Sequence, residues 1–318
     1  MNRRDSLALL ATAFAAVATP SVAQTRQAPK QLRIGFQKTG ILIVAKQQKL
    51  FETRFAPLGV EVKFVEFSSG PPLLEALNAG AIDYGYTGDS PPIFAQAARA
   101  NLLYVAAQPS AGSTSAILIK DGSSIRTLAD LKGKKVAFTK ASSAHNVTIA
   151  ALEKAGLQYS DITPVYLQPA DAAAAFARGS VDAWTIWDPF YAIAEEQPGT
   201  KVLATAKEIV RQNSFLLANR EFTGKHPDIV GAINEELAKA IRWIQNNQTE
   251  AAELFAQATG IPKDIQAKAI ARNEFLIAPV SEAVIVEQQA IADRFHKLAL
   301  IPAPINVREI VWNWTPST

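Results

Sequence analysis

The sequence has no cysteine and only three histidines among its 318 residues. The missing thiol excludes disulphide bridges, thiolate nucleophiles and cysteine-held metals. It also excludes a lipid-bearing cysteine behind an export leader, so an exported product is expected to be soluble and untethered. Histidines this sparse (His145, His226 and His296) offer no metal cluster, and no metal or other cofactor is expected. Lys and Arg number 32 against 29 Asp and Glu, a net charge of +3 with no basic block. Nucleic acid is therefore not an expected partner, because binding a phosphate backbone needs clustered cations. Phosphate loops of the GxGxxG or GxxxxGK[ST] kind are absent, which argues against nucleotide chemistry. So are internal repeats and apolar runs long enough to span a bilayer.

What is present begins with an export signal over residues 1–23. Arg3 and Arg4 make a basic start, residues 7–18 form an apolar run too short to span a membrane, and Ser21-Val22-Ala23 is a small-residue cleavage site. RRDSLALL also has a twin-arginine character. Cleavage leaves 295 of the 318 residues, with 30 basic against 28 acidic side chains. That length suits about two domains with a sizeable core.

Strand-like and helix-like patterns then alternate, which predicts α/β sheets covered by helices. Strands are expected at 32–36, 60–67, 84–87, 102–107 and 115–119, with helices at 41–49, 72–78 and from Pro92. Asp121-Gly122-Ser123-Ser124 breaks the pattern and is read as a crossing point. A second series runs through strands at 136–138, 162–166, 182–186 and 201–204, and a short apolar strand falls at 215–218. From Pro227 onward the pattern is helical. Val230, Ile233, Leu237, Ile241 and Ile244 recur at spacings of three and four, the seam of an amphipathic helix packed on a core.

Two helix starts carry the chemistry. In the first, a strand ending at Phe138 is followed by Lys140-Ala141 and then Ser142-Ser143, which open a helix. Such a start presents free N–H groups and the positive end of the helix dipole. With two hydroxyls and Asn146 beside it, the site suits an oxyanion such as sulphate, phosphate, carboxylate or sulphonate, and a plain serine N-cap is the alternative. The second start is Gly88-Asp89-Ser90-Pro91-Pro92, after the strand ending at Thr87. The prolines suit a first helical turn, Asp89 or Ser90 is the cap, and Gly88 permits either a close ligand approach or a φ > 0 turn. The two starts could face each other across a cleft.

Four segments carry a resemblance: TGDSPPIFAQAA (87–98), LADLKGKKVAFTKASSAHN (128–146), FARGSVDAWTIWDPFYA (176–192) and ANREF (218–222). With them the mature chain resembles the periplasmic substrate-binding proteins of ABC importers, specifically the aliphatic-sulphonate group of the nitrate/taurine/sulphonate family. One departure is Ala141, where that family usually has glycine. The resemblance implies a type II periplasmic-binding-protein fold, in which two α/β lobes are joined by two crossing segments with the ligand between them. Lobe 1 is expected at 31–121 plus 213–318 and lobe 2 at 122–212. It also implies a periplasmic monomer that delivers an alkanesulphonate to separate permease and ATPase subunits for sulphur acquisition.

A sulphonate stays ionised and has three acceptor oxygens, so it needs donors and no proton transfer. Ser142, Ser143 and the N–H groups of Ala144, His145 and Asn146 are expected to supply them from lobe 2. Gly88, Asp89 and Ser90 are expected to do so from lobe 1, with Gln37 beside them. Trp187 is the first candidate for an apolar wall along the tail, followed by Phe215 and then Trp184. Arg272, or Arg211, would complete the anion site. Asp89 and Asp188 would repel a sulphonate unless they cap a helix or meet an ammonium, which would favour amino-sulphonates such as taurine. Taurine, nitrate or another small anion is the alternative ligand. The alternative chemistry is a GDSL-type esterase using Ser90, His296 and Asp293. Against it stand the two prolines after Ser90 and the absence of a Gly-x-Asn-Asp block.

Overall fold

The computed structural model describes residues 27–316, and the expected leader at 1–23 lies outside them. Two five-stranded sheets form the frame. The first contains β1 (Gln31–Phe36), β2 (Glu61–Glu66), β3 (Tyr84–Gly88) and β4 (Leu102–Gln108). The second contains β5 (Ser115–Lys120), β6 (Lys135–Phe138), β7 (Thr163–Tyr166), β8 (Ala183–Trp187) and β9 (Thr200–Thr205), after which β10 (Ser214–Asn219) returns to the first. The sheet orders are β2-β1-β3-β10-β4 and β7-β6-β8-β5-β9. Each sheet has a parallel set of three and takes in, as its fourth strand, an antiparallel strand adjoining a crossing: β10 between β3 and β4, and β5 between β8 and β9. The central strands read as continuous apolar runs because helices cover both faces.

The lobe boundary differs from the expected one. The sequence pattern places β5 in lobe 1, with the crossing at 121–124. Its backbone pairs with β8 and β9, so the chain crosses at 109–114 and returns at 209–213. The two crossings lie against each other. Gln212 N–H donates to the Ser110 carbonyl at 3.3 Å. Gly112 has φ +93°, and a Cβ there would press on the backbone of Ala206, Lys207 and Val210 at 3.1 Å. Glycine alone satisfies both demands.

The C-terminal helices pack on lobe 1. In helix Pro227–Asn246 the expected seam is buried throughout, from Val230 to Ile244. Asn234 sits fully buried on the same helix. It accepts from the Tyr84 hydroxyl at 2.6 Å and donates to the Val105 carbonyl at 3.0 Å. Val105 is the residue skipped where β4 slips register against β10, so the bulge frees a carbonyl that Asn234 satisfies. Asn234→Ala is expected to destabilise the protein by about 2–4 kcal/mol, because it strands two buried polar groups. Urea unfolding checks this, and a loss under about 1 kcal/mol would show that the network adds little.

Candidate functional site

The C-terminal ends of β1, β3 and β8 and the segment after β6 converge between the lobes, where open α/β sheets place their ligands. The cleft holds about 710 Å³ of space, part of it open to solvent. Lobe 1 lines it with Gln37, Thr39, Tyr86, Thr87 and Gly88, and lobe 2 with Ser142, Ser143, Trp187 and Asp188. The crossings add Ser110, Thr114, Gln212 and Asn213. Neither Lys nor Arg is among the lining residues, so an anion held here meets neutral donors.

The anion-facing start is the N-terminus of helix Ser143–Lys154, with Ser142 as an extended N-cap. The Ser142 hydroxyl donates to the Thr139 carbonyl at 2.7 Å, which ties down the preceding loop. The His145 and Asn146 N–H groups, expected as ligand donors, both bond back to the Ser142 carbonyl, at 3.0 and 3.4 Å. The helix therefore leaves over the N–H groups of Ser143 and Ala144. Ala141 has φ +61°, the left-handed conformation that glycine would adopt freely. The His145 ring braces it, since Nδ1 accepts from the Ala141 N–H at 3.3 Å. Nε2 then carries the proton and donates to the Tyr159 hydroxyl at 3.0 Å. Burial, helped by Lys140, pushes the His145 pKa down to about 3, so the ring stays neutral. His145 is a fully buried brace packed between Phe94 and Phe138, and it does not line the cleft.

The lobe 1 start differs from expectation in a similar way. Pro91 and Pro92 carry no N–H, and the Ser90 N–H and hydroxyl both turn to the Asp89 carboxylate. Asp89 is fully buried and accepts from Asn146 Nδ2 of lobe 2 at 2.9 Å. Burial raises its pKa against the pull of hydrogen bonds from Ser90, Asn146 and Ser143. Asn146 in turn accepts from Arg294 at 2.8 Å, and Arg294 also pairs with Glu153 at 2.9 Å. Asp89, Ser90 and Asn146 thus join the lobes behind the cleft and do not line it.

The cleft receives Gln37, Gly88, Ser142, Ser143, Trp187 and Asp188 of the predicted residues. Ala144 is fully buried and is not among the lining residues. Phe215 lies in the lobe 1 core, edge-on to Tyr104 at 4.7 Å, because its side chain points to the covered face of β10. Trp184 is likewise core, beside Phe176. Arg272 is drawn away from the cleft by Asp188 at 3.3 Å, Glu195 and the Tyr191 ring, and Arg211 by Glu287 at 3.4 Å. The esterase reading is overturned. The Ser90 hydroxyl is buried and committed to Asp89, whereas His296 is exposed and Asp293 accepts from Gln289.

Asp188 lines the cleft at 4% exposure. One oxygen accepts from the Ala192 N–H at 3.0 Å and from Arg272 at 3.3 Å, and the other has no partner. Burial raises its pKa to about 7 despite Arg272, whose charge is shared with Glu195. Sequence reasoning missed the polar crossing residues, notably Ser110, Thr114, Gln212 and Asn213. The available signal was a run of small and polar residues between apolar strands at each crossing. Among the described residues no group of His, Asp or Glu is placed to hold a metal ion, and no helix is long and apolar enough to cross a membrane.

Two lobes of matching strand order, two adjoining crossings and an interlobe cleft define the type II periplasmic-binding-protein class. The chain belongs to the NMT1-like family, which it matches over residues 25–260. It is 40% identical to an aliphatic sulfonates-binding protein of Escherichia coli, over 98% of both chains. The crystal structure of the Escherichia coli periplasmic aliphatic sulphonate binding protein SsuA superposes with a TM-score of 0.82 at 41% identity, covering 92% of this chain and 94% of that one. The alkanesulfonate-binding protein SsuA of Xanthomonas axonopodis pv. citri, bound to MOPS, gives 0.85 at 42% identity, covering 89% and 98%.

Proposed function

We propose that this chain is the periplasmic binding component of an ABC importer and captures aliphatic sulphonates for sulphur acquisition, handing them as a soluble monomer to a permease and its ATPase. The observation that carries the reading is the cleft itself, where a helix start with two serines meets Trp187 amid neutral donors. A sulphonate takes up donors from Ser143 and the lining amides without needing a counter-cation. Each charge-assisted hydrogen bond contributes about 1.5–3 kcal/mol, so a few suffice. The tail then lies against Trp187, which nitrate would leave uncovered. The identity to sulphonate-binding relatives over nearly the whole chain supports the same ligand class.

Titration calorimetry on residues 24–318, freed of ligand, tests this against alkanesulphonates, taurine, nitrate and sulphate. The buffer must contain no sulphonate, which excludes HEPES and MES. Saturable alkanesulphonate binding is expected, weakened about tenfold by Trp187→Ala, which removes the apolar wall along the tail. Binding of nitrate or taurine with no alkanesulphonate would keep the fold and overturn the ligand assignment.

A further inference from the structure

The main cleft cannot comfortably hold a long apolar tail. Towards the crossings its walls are Gln108, Thr114, Gln212 and Asn213, and a hydrocarbon there would strip water from polar groups without replacing their hydrogen bonds. On the opposite side a second hollow of about 650 Å³, part of it open to solvent, begins at Trp187, with Gln37 and Thr39 forming part of both walls. Its further lining comes from Phe67, Pro169, Ala170, Pro189 and Phe190. Trp187 and Phe190 meet edge to face with centroids 6.5 Å apart. Phe67, Trp187 and Phe190 are all only partly buried, so their rings face the chamber space without a full set of protein contacts.

The chamber lies between the lobes. Phe67 follows β2 of lobe 1, whereas Pro169, Ala170 and Phe190 belong to lobe 2. Gln168, next to Pro169, accepts from the lobe 1 hydroxyl of Ser69 at 2.9 Å and of Ser68 at 3.3 Å, so hydrogen bonds span the lobes beside it. Lys38 and Glu66, 4.0 Å apart, mark its polar edge.

We infer that this chamber is a tail subsite, which makes the preferred ligands sulphonates with an extended alkyl or aryl group that passes Trp187 and lies among Phe67, Pro169 and Phe190. The inference rests on the sulphonate reading and adds the direction and length of the tail. Filling a chamber walled by both lobes also couples tail burial to lobe closure.

The test is a calorimetric series from methanesulphonate to octanesulphonate on residues 24–318, repeated with Ala170→Trp and Phe190→Ala. Ala170 is exposed at the second position of helix Pro169–Ala177, so a larger side chain there fills the chamber without disturbing the core. In the unaltered protein each added methylene is expected to tighten binding about threefold, close to the factor for full burial of a CH2 group. Ala170→Trp is expected to abolish that gain while leaving methanesulphonate affinity unchanged, and Phe190→Ala to lower the gain per methylene. Tight methanesulphonate binding with a flat series would overturn the subsite and leave the function standing. A chain-length gain that survives both substitutions would place the tail elsewhere and likewise overturn it. Failure of every sulphonate, methanesulphonate included, would remove the function on which the subsite rests.

Discussion

Gly88→Ala is expected to weaken ligand capture by about tenfold, while leaving each lobe folded. Gly88 ends β3, and a Cβ built on it would fall inside the Ser143 hydroxyl that approaches from the other lobe. Its φ is not positive, so alanine fits the strand itself, and the clash arises only where the lobes meet. Unlike a surface hydroxyl on a flexible arm, Ser143 is the first residue of a helix whose Asn146 is bonded to Asp89 at 2.9 Å. Either the hydroxyl turns to another rotamer and gives up its bond to Asp89, or the helix draws back and breaks that of Asn146. Calorimetry with an alkanesulphonate measures the loss, and thermal melting should find the transition nearly unchanged. Adding Ser143→Gly should restore part of the affinity by removing the obstructing hydroxyl. Affinity within a few-fold of the parent in Gly88→Ala would show that the two lobes do not need this contact.

Sulphonate affinity is expected to fall by on the order of tenfold from about pH 6 to about pH 8, and Asp188→Asn should flatten the profile. Asp188 lines the cleft with its pKa raised to about 7 by burial. Arg272 and the Ala192 N–H favour its charged form, Glu195 opposes it, and Tyr191 lies beneath the guanidinium. Below pH 7 the carboxyl is neutral and tolerates an anion. Above it the carboxylate repels a sulphonate in the same cleft, so binding takes up a proton and weakens as pH rises. Fold stability carries the same sign, because a carboxyl with a raised folded pKa contributes most at low pH and loses that contribution as pH rises through 7. His145 cannot produce this profile, since its pKa near 3 keeps it neutral throughout. Calorimetry across the range in sulphonate-free buffers decides it. A flat parent profile, or a slope that persists in Asp188→Asn, would assign the behaviour to another group.

The alternating pattern, the amphipathic seam from Val230 to Ile244 and both helix starts were legible because periodicity and caps are local properties. The lobe boundary was not. The sequence of β5 reads as one more strand wherever it pairs, and its partners β8 and β9 lie about 60 to 90 residues further along the chain. Among the candidate residues, those at strand ends and in the helix start (Gln37, Gly88, Ser143, Trp187) reach the cleft wall, because such positions open onto the edge of a sheet. Asp89, Asn146 and Arg272 were misread because a polar side chain near a cleft is equally suited to bonding the opposite lobe. Phe215 was misread because both faces of β10 are covered, which leaves no alternation to say which way a side chain points. His145 looked like a loop donor, and only the left-handed Ala141 explains why an imidazole stands there.

The absence of Lys and Arg from the cleft wall has a consequence for the medium in which the protein works. Dissolved ions screen charges at the surface over about 8 Å at physiological strength, and they weaken traps built on exposed cations. Oriented N–H groups and hydroxyls inside a closing cleft act at contact distance, with no room for an ion atmosphere between donor and ligand. Capture by such a wall keeps its strength as the surroundings become saltier or more dilute, which suits the periplasmic carrier proposed above.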